Sequence, residues 1–407
     1  GYIYSIEKKG FFVSEIKSDI KVQNDAKKHE FRSLVKMESE EYKFDFTNNS
    51  LDFKMFPFSI WNKLLREVIT YRKNELMEKQ PSGGCYELRE SIAVYLHQFK
   101  NMNVNPDQII IGSGNEHLYN LLIQLFGKDK IYAIENPGYK KIAQIYECNE
   151  VLCQKIQLDE NGIKIEELER QNPQIVHISP SHHFPTGIVT PISRRYELLS
   201  WANKKDERFI IEDDYDSEFR MKGKAIPPLQ VIDVSGKVIY MNTFTKTISP
   251  TIRISYMVLP LSLIEKFYTK LGFYSCTVSS FEQYTLSSFI SKGYFEKHIN
   301  RMRTCYKKIK DEILCCIKKS KLNKICTISE ENSGLHFLLH IDIDKTDAEL
   351  SEQFETFGIK INLLSQYYNG SVEKEKEHTL VINYSGMKKE KIEESVLGIE
   401  KCIFNNL

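Results

Sequence analysis

Apolar runs alternate with amphipathic stretches from Phe46 to about Gly293. Trp61, Leu64, Leu65 and Val68 recur at helical spacing within Ile60 to Tyr71, which predicts a helix with one buried face. The turn Pro81-Ser82-Gly83-Gly84 leads into a second predicted helix around Leu88 to Phe99. QIIIGSGNEHLYNLLIQLF reads as strand, glycine turn and helix, while KIYAIENPGY and QIVHISPSHHFPTG each read as a strand followed by a loop. Repeated alternation of this kind predicts an α/β fold whose mainly parallel sheet is covered by helices, spanning residues 46–293. Beyond Gly293 the pattern becomes a long basic helix (Tyr294 to Lys319), a strand in LHFLLHIDI, another in TLVINYS and a final helix. That is the expectation for a smaller C-terminal α+β domain, 294–407. At the other end, two β-rich runs flank Glu7-Lys8-Lys9-Gly10 and predict a hairpin within residues 1–13. A hairpin alone is marginal in water, so it is expected to belong to a larger unit. The stretch 14–45, rich in Lys, Glu, Asp and Asn, reads as a linker, helical in part at most.

The 407 residues are 41% hydrophobic and 27% charged, with a formal net charge of +1. Such a balance gives no bulk attraction to nucleic acid or anionic membrane, so any DNA contact has to come from a local basic feature. The longest apolar runs are far short of a membrane span. Nine cysteines lie scattered without a CxxC pair, as expected of a protein in a reducing, cytoplasmic compartment.

Two segments carry candidate chemistry. IIEDDYDSEF follows the apolar stretch Arg208 to Ile211, and MNTFTKTISPTIRIS follows Lys237 to Tyr240. Both place polar residues where a strand ends, the edge at which open α/β sheets bind ligands. Lys246, Asp213, Tyr215 and Arg253 would converge there. Together they offer an amine for a Schiff base, an acid for a ring nitrogen and a cation for a phosphate, the needs of a pyridoxal 5′-phosphate (PLP) site. The bland reading of the acidic run is a solvated loop and a second is a divalent-metal site; the strand-end position and the apolar residues before it favour one buried acid with the others outside. GSGNEH lacks the third glycine of a dinucleotide fingerprint, but Gly114, Asn115 and Glu116 could present free backbone N–H groups to an anion at a helix start. His177, His182 and His183 suggest zinc, yet no complementary ligand pair stands at metal spacing, and no metal is expected.

The ordered set IIGSGNEHL, IENPGY, SPSHHFPTG, ISRRYELLSWA, IIEDDYDSEF, PPLQ and MNTFTKTISPTIRISYMVLP resembles the fold-type I aminotransferase domain. More specifically it resembles that of the MocR/GabR branch of GntR-type transcriptional regulators, from about Phe46 onward. GYIYSIEKKGFFV resembles the wing hairpin that ends a GntR-type winged helix, which implies a chain lacking the remainder of that DNA-reading head. The resemblance implies that Lys246 forms the Schiff base with PLP, Asp213 pairs with the ring nitrogen, and Tyr215 contacts the ring hydroxyl. It implies that Arg253, Thr243 and the Gly114–Asn115–Glu116 turn hold the phosphate, and that Tyr139 stacks on the ring. A head-to-tail homodimer is implied as well, responding to PLP, an amine or an amino acid. Three positions depart from the pattern. Phe184 replaces the asparagine that aminotransferases place before Pro-Thr-Gly. Lys141, a candidate effector-binding residue, stands where the GABA-responsive type has arginine. Gly386 falls where an arginine for the substrate carboxylate is expected, and losing that contact would weaken carboxylate binding by on the order of 2–5 kcal/mol. The expected function is therefore effector sensing with little or no turnover; the alternative is a working aminotransferase.

Overall fold

The computed structural model describes residues 3–13, 42–47, 53–221, 226–330, 334–370 and 378–404. The chain forms two compact units, 1–41 and 42–407. In the first, β1 (Ile3–Ile6) and β2 (Gly10–Val13) pair antiparallel, Ile3 opposite Val13 and Ile6 opposite Gly10. Lys8 and Gly10 take positive φ in the turn, and Tyr4 stacks on Phe12 at 5.8 Å. The expected linker falls, for residues 14–41, outside the described residues.

The second unit begins with a strand where the linker was expected to continue. β3 (Phe44–Asp45) runs parallel to β14 (Ile359–Lys360), and Phe44 and Phe46 are buried. A two-residue strand leaves almost no periodic signal; tertiary pairing and the burial of two phenylalanines hold it in place.

The main sheet has eight strands: β4 (Ile109–Gly112), β5 (Tyr132–Asn136), β6 (Cys153–Asp159), β7 (Gly162–Ile163), β8 (Ile175–Ile178), β9 (Phe209–Asp213), β10 (Val238–Thr243) and β11 (Ser255–Val258). Their order across the sheet is β4-β11-β10-β9-β8-β5-β6-β7. β6, β5, β8, β9 and β10 run parallel, and β11 runs antiparallel to both its neighbours, β10 and β4. Residues of β4, β5, β8, β10 and β11 are buried throughout, as expected for a sheet covered on both faces. Because β11 reverses direction, the connection from Thr243 to Ser255 is a short turn that stays on one edge of the sheet. It carries Lys246 and Arg253.

A second, antiparallel sheet has the order β12 (Cys326–Ser329), β13 (His336–Ile341), β16 (Thr379–Asn383) and β15 (Asn362–Leu363). Thr346 and Glu349 form a reciprocal capping box at the start of helix Asp347–Thr356, the arrangement that a T-x-x-E spacing encodes. The helix Tyr294–Lys319 buries Phe295, Ile299, Met302, Tyr306, Ile309, Ile313 and Ile317 at three- and four-residue intervals. These residues share one continuous core with Phe244 and Tyr256 near the main sheet and with Phe337 and Val396 of the C-terminal region. The expected boundary at Gly293 therefore does not divide the core. Among the described residues, no helix is long and apolar enough to cross a membrane.

Candidate functional site

A cavity of about 210 Å³ opens at the carboxyl ends of β5, β8, β9 and β10. It is lined by Lys246, Asp213, Tyr215, Tyr139, Asn115, Glu116, Thr243, Arg253 and Lys141. The sequence expectation thus names residues that the fold brings to one place, although they come from segments as far apart as Asn115 and Arg253. Gly114 lies just behind the wall, as the N-cap of helix Asn115–Phe126.

Asp213 ends β9, and its carboxylate accepts two hydrogen bonds, with His177 packed close by. The Tyr119 hydroxyl donates to Oδ2 at 2.5 Å, and Asn115 Nδ2 lies 3.3 Å from Oδ1. Asn115 and Tyr119 are four residues apart on the same helix, so both side chains reach the same spot. His177, on neighbouring β8, places Nε2 3.7 Å from Oδ2, while its Nδ1 is 3.1 Å from the Tyr146 hydroxyl. Nε2 of His177 is buried without a hydrogen-bond partner. Burial and the charge of Asp213 raise the Tyr119 phenol well above its ordinary pKa, so Tyr119 stays a donor.

Lys246 lies in the turn after β10. Burial pulls its pKa below the usual lysine value, and nearby Asp216 opposes this only in part. A desolvated amine is more often neutral and therefore nucleophilic. Asp216 is itself committed to His182, whose Nδ1 is 2.9 and 3.0 Å from the two carboxylate oxygens. The Tyr215 hydroxyl approaches the same nitrogen at 3.2 Å. His182 stacks on His336 at 4.6 Å, and His336 Nε2 donates to the Pro185 carbonyl at 3.0 Å. Burial drives His336 well below its ordinary pKa and His183 down to about 3, so both rings are neutral.

Thr243, the last residue of β10, lies opposite Ser255 in the register. The Ser255 hydroxyl donates to Thr243 Oγ1 at 2.7 Å, and Thr243 lies 2.8 Å from the Thr245 hydroxyl. Beside this hydroxyl cluster sits Arg253, with φ of 50°. Its guanidinium pairs with Glu116, and Glu116 also pairs with Lys141. Both cations hold the Glu116 carboxyl below its usual pKa. Gly114 has φ of 95°, and a Cβ there would run into the Arg253 guanidinium, so this position needs glycine for both conformation and space.

The aromatic wall is built from Tyr139 and Phe184, edge to face at 6.0 Å, with Phe184 also against His336 at 5.1 Å and Tyr367 at 5.2 Å. Glu135, also on the cavity wall, accepts the Ser179 N–H at 2.9 Å, and His183 Nε2 is 3.6 Å away. Burial pushes the Glu135 carboxyl up to about 8. Sequence reasoning did not single out Tyr119, Glu135, Asp216 or His336. For Tyr119 a signal existed: a phenol four residues after Asn115 on an otherwise apolar helix face. For His336, on a strand of the other sheet, none did.

The signature of the family Aminotransferase class I and II matches residues 42–397. The chain belongs to that family. The family's cofactor is PLP, and the cavity fits it: a buried amine, a carboxylate fixed by neutral donors, and a cation with hydroxyls beside a cradle that a Cβ at position 114 would fill. The chain is also 38% identical over 370 residues to the uncharacterized HTH-type transcriptional regulator YdeL of Bacillus subtilis, covering 90% of this chain and 79% of that protein. By that match it belongs with the HTH-type transcriptional regulators. It is 28% identical over 294 residues to the HTH-type pyridoxine biosynthesis transcriptional regulator PdxR of Corynebacterium glutamicum, covering 72% of this chain and 62% of the relative. In fold it is similar to the crystal structure of Pyrococcus horikoshii kynurenine aminotransferase, with a TM-score of 0.77 at 24% identity, covering 89% of this chain and 91% of that one.

Proposed function

We propose that this chain is the effector-binding region of a MocR/GabR-type transcriptional regulator, which holds PLP at Lys246 and responds to PLP itself, an amine or an amino acid. When bound, PLP supplies an electrophilic carbon for amines and an electron-withdrawing ring. Lys246 is the residue that attaches it. Asp213 would keep a proton on the ring nitrogen, and Tyr119 and Asn115 hold the carboxylate in place to do so. Tyr215 would meet the ring hydroxyl and Tyr139 the ring face. Thr243, Arg253 and the N–H groups of Gly114, Asn115 and Glu116 would hold the phosphate, with Lys141 at the effector's side. DNA recognition would belong to a winged helix of which the Ile3–Val13 hairpin is the wing, in a head-to-tail homodimer.

The observation that carries this reading is the meeting, in one cavity, of a desolvated lysine amine and a carboxylate fixed by neutral donors. The regulator relatives supply the functional context. A working aminotransferase is the second reading, favoured by the likeness to a solved aminotransferase fold. Against turnover, Gly386 lies in the turn after β16 and is absent from the cavity wall, and the lysines and arginines lining that wall among the described residues are Lys141, Lys246 and Arg253. The test is to load the purified chain with PLP and titrate amines and amino acids, γ-aminobutyrate included, while following the cofactor's absorption. The expected result is saturable spectral change without turnover, abolished in Lys246→Ala. Complete conversion by an amino acid, followed by catalytic cycling on adding a keto acid, would sink the regulatory reading in favour of the enzyme.

A further inference from the structure

The phosphate side of the cavity already contains an anion. Arg253 and Lys141 are two of the three lysines and arginines on the wall among the described residues, and both are engaged by one carboxylate, that of Glu116. Glu116 is the second residue of helix Asn115–Phe126, beside the N–H groups that the helix start leaves unpaired. Its carboxylate is thus stabilised by the helix end as well as by the two cations. Arg253 and the helix start are the same positive groups that a ligand's phosphate would use.

We infer that Glu116 is a specificity-determining residue of this site: an internal carboxylate that competes with the ligand's phosphate for Arg253 and has to swing away when a phosphorylated ligand binds. This rests on the cofactor reading above and adds to it. Phosphate binding at Arg253 then has a second effect. Lys141 then no longer shares the Glu116 carboxylate with Arg253, so the charge pairing on this side of the cavity changes when the phosphate arrives. The competition lowers affinity for the phosphate group specifically, leaving contacts to the ring untouched. A sensor needs a site that empties and fills with its ligand's concentration, and an internal competitor keeps the site from being permanently full.

The pairs are partly exposed, with side-chain exposures of 35% for Glu116, 43% for Arg253 and 49% for Lys141, so solvent screening keeps the effect modest. The test uses two ligands that cannot react with Lys246 because they lack the aldehyde, pyridoxine 5′-phosphate and pyridoxine. Their dissociation constants are measured by titration calorimetry on the full chain and on Glu116→Gln and Glu116→Ala. Both variants are expected to bind pyridoxine 5′-phosphate roughly two- to fivefold more tightly, with no change for pyridoxine, and the gain should shrink in high salt. Unchanged affinity for the phosphorylated ligand would overturn the inference alone. So would an equal gain for pyridoxine, since that would mark a general opening of the cavity. Failure of the unaltered chain to bind either ligand, or to take up PLP, would instead overturn the cofactor reading and this inference together.

Discussion

Glu135 is the residue whose ionisation the fold perturbs most informatively. It is 7% exposed, and burial raises its pKa from 4.5 to about 8. A carboxyl that binds its proton more tightly in the folded chain than in the unfolded one contributes stability at low pH. That contribution is full below about pH 4.5 and is lost as pH rises toward about 8. His183, 3.6 Å away, stays neutral through this window because burial lowers its pKa to about 3. Glu135→Gln keeps an oxygen for the Ser179 N–H but cannot ionise. Denaturant unfolding at about pH 5 and about pH 8 should show the unaltered chain losing on the order of 2–4 kcal/mol relative to Glu135→Gln. A constant difference between the two proteins would mean that Glu135 is already ionised at the lower pH.

At the scale of elements, the segment that follows Asp213 is clamped by the end of a helix. Lys100 is the last residue of helix Tyr86–Lys100, and its ammonium lies 2.7 Å from Asp214 and 3.0 Å from Glu218. All three side chains are under 10% exposed. Tyr240 donates to Asp214 at 2.7 Å and Asn242 to Glu218 at 3.2 Å, so the loop after β9 is tied to both the helix and β10. The ammonium keeps Asp214 below its ordinary pKa despite full burial. Lys100→Met leaves two buried carboxylates without their cation and should cost about 3–5 kcal/mol at neutral pH. The deficit should narrow in acid, where Asp214 protonates, and in Lys100→Met/Asp214→Asn/Glu218→Gln. A deficit equal at both pH values would assign the loss to packing. The strands and helices of the main sheet were legible in the sequence, because short apolar runs such as Ile109–Gly112 and Phe209–Asp213 end in polar residues or glycine and alternate with helical stretches. So were the polar residues that end β9 and β10, which put Asp213 and Lys246 on the same edge. The clamp was not, since Lys100 ends an amphipathic helix where a solvated lysine is the ordinary expectation. Neither was the short strand at Phe44, which exists only through its partner at Ile359.

For the molecule as a whole, helix Tyr294–Lys319 is the joint. Phe295 meets Phe244 at 5.4 Å and Tyr95 at 5.2 Å, and Tyr306 meets Phe219 at 5.3 Å; the same helix packs against Ile392–Phe404. With one core running through both sheets, heating residues 42–407 should give one calorimetric transition. Two well-separated transitions would show that the C-terminal region folds independently of the rest.

The reversal of direction at β11 also shapes how the cavity can be altered. Lys246 and Arg253 leave the sheet on a single loop whose ends are pinned by the Thr243–Ser255 pair. They are therefore two grips of one handle. Shortening or lengthening the chain between them by a single residue would change the span from grip to grip, and no adjustment elsewhere in the sheet would restore it. Substitutions at the two positions should accordingly be non-additive, and insertions will be tolerated far better at the outer edge beside β7 than within these few residues.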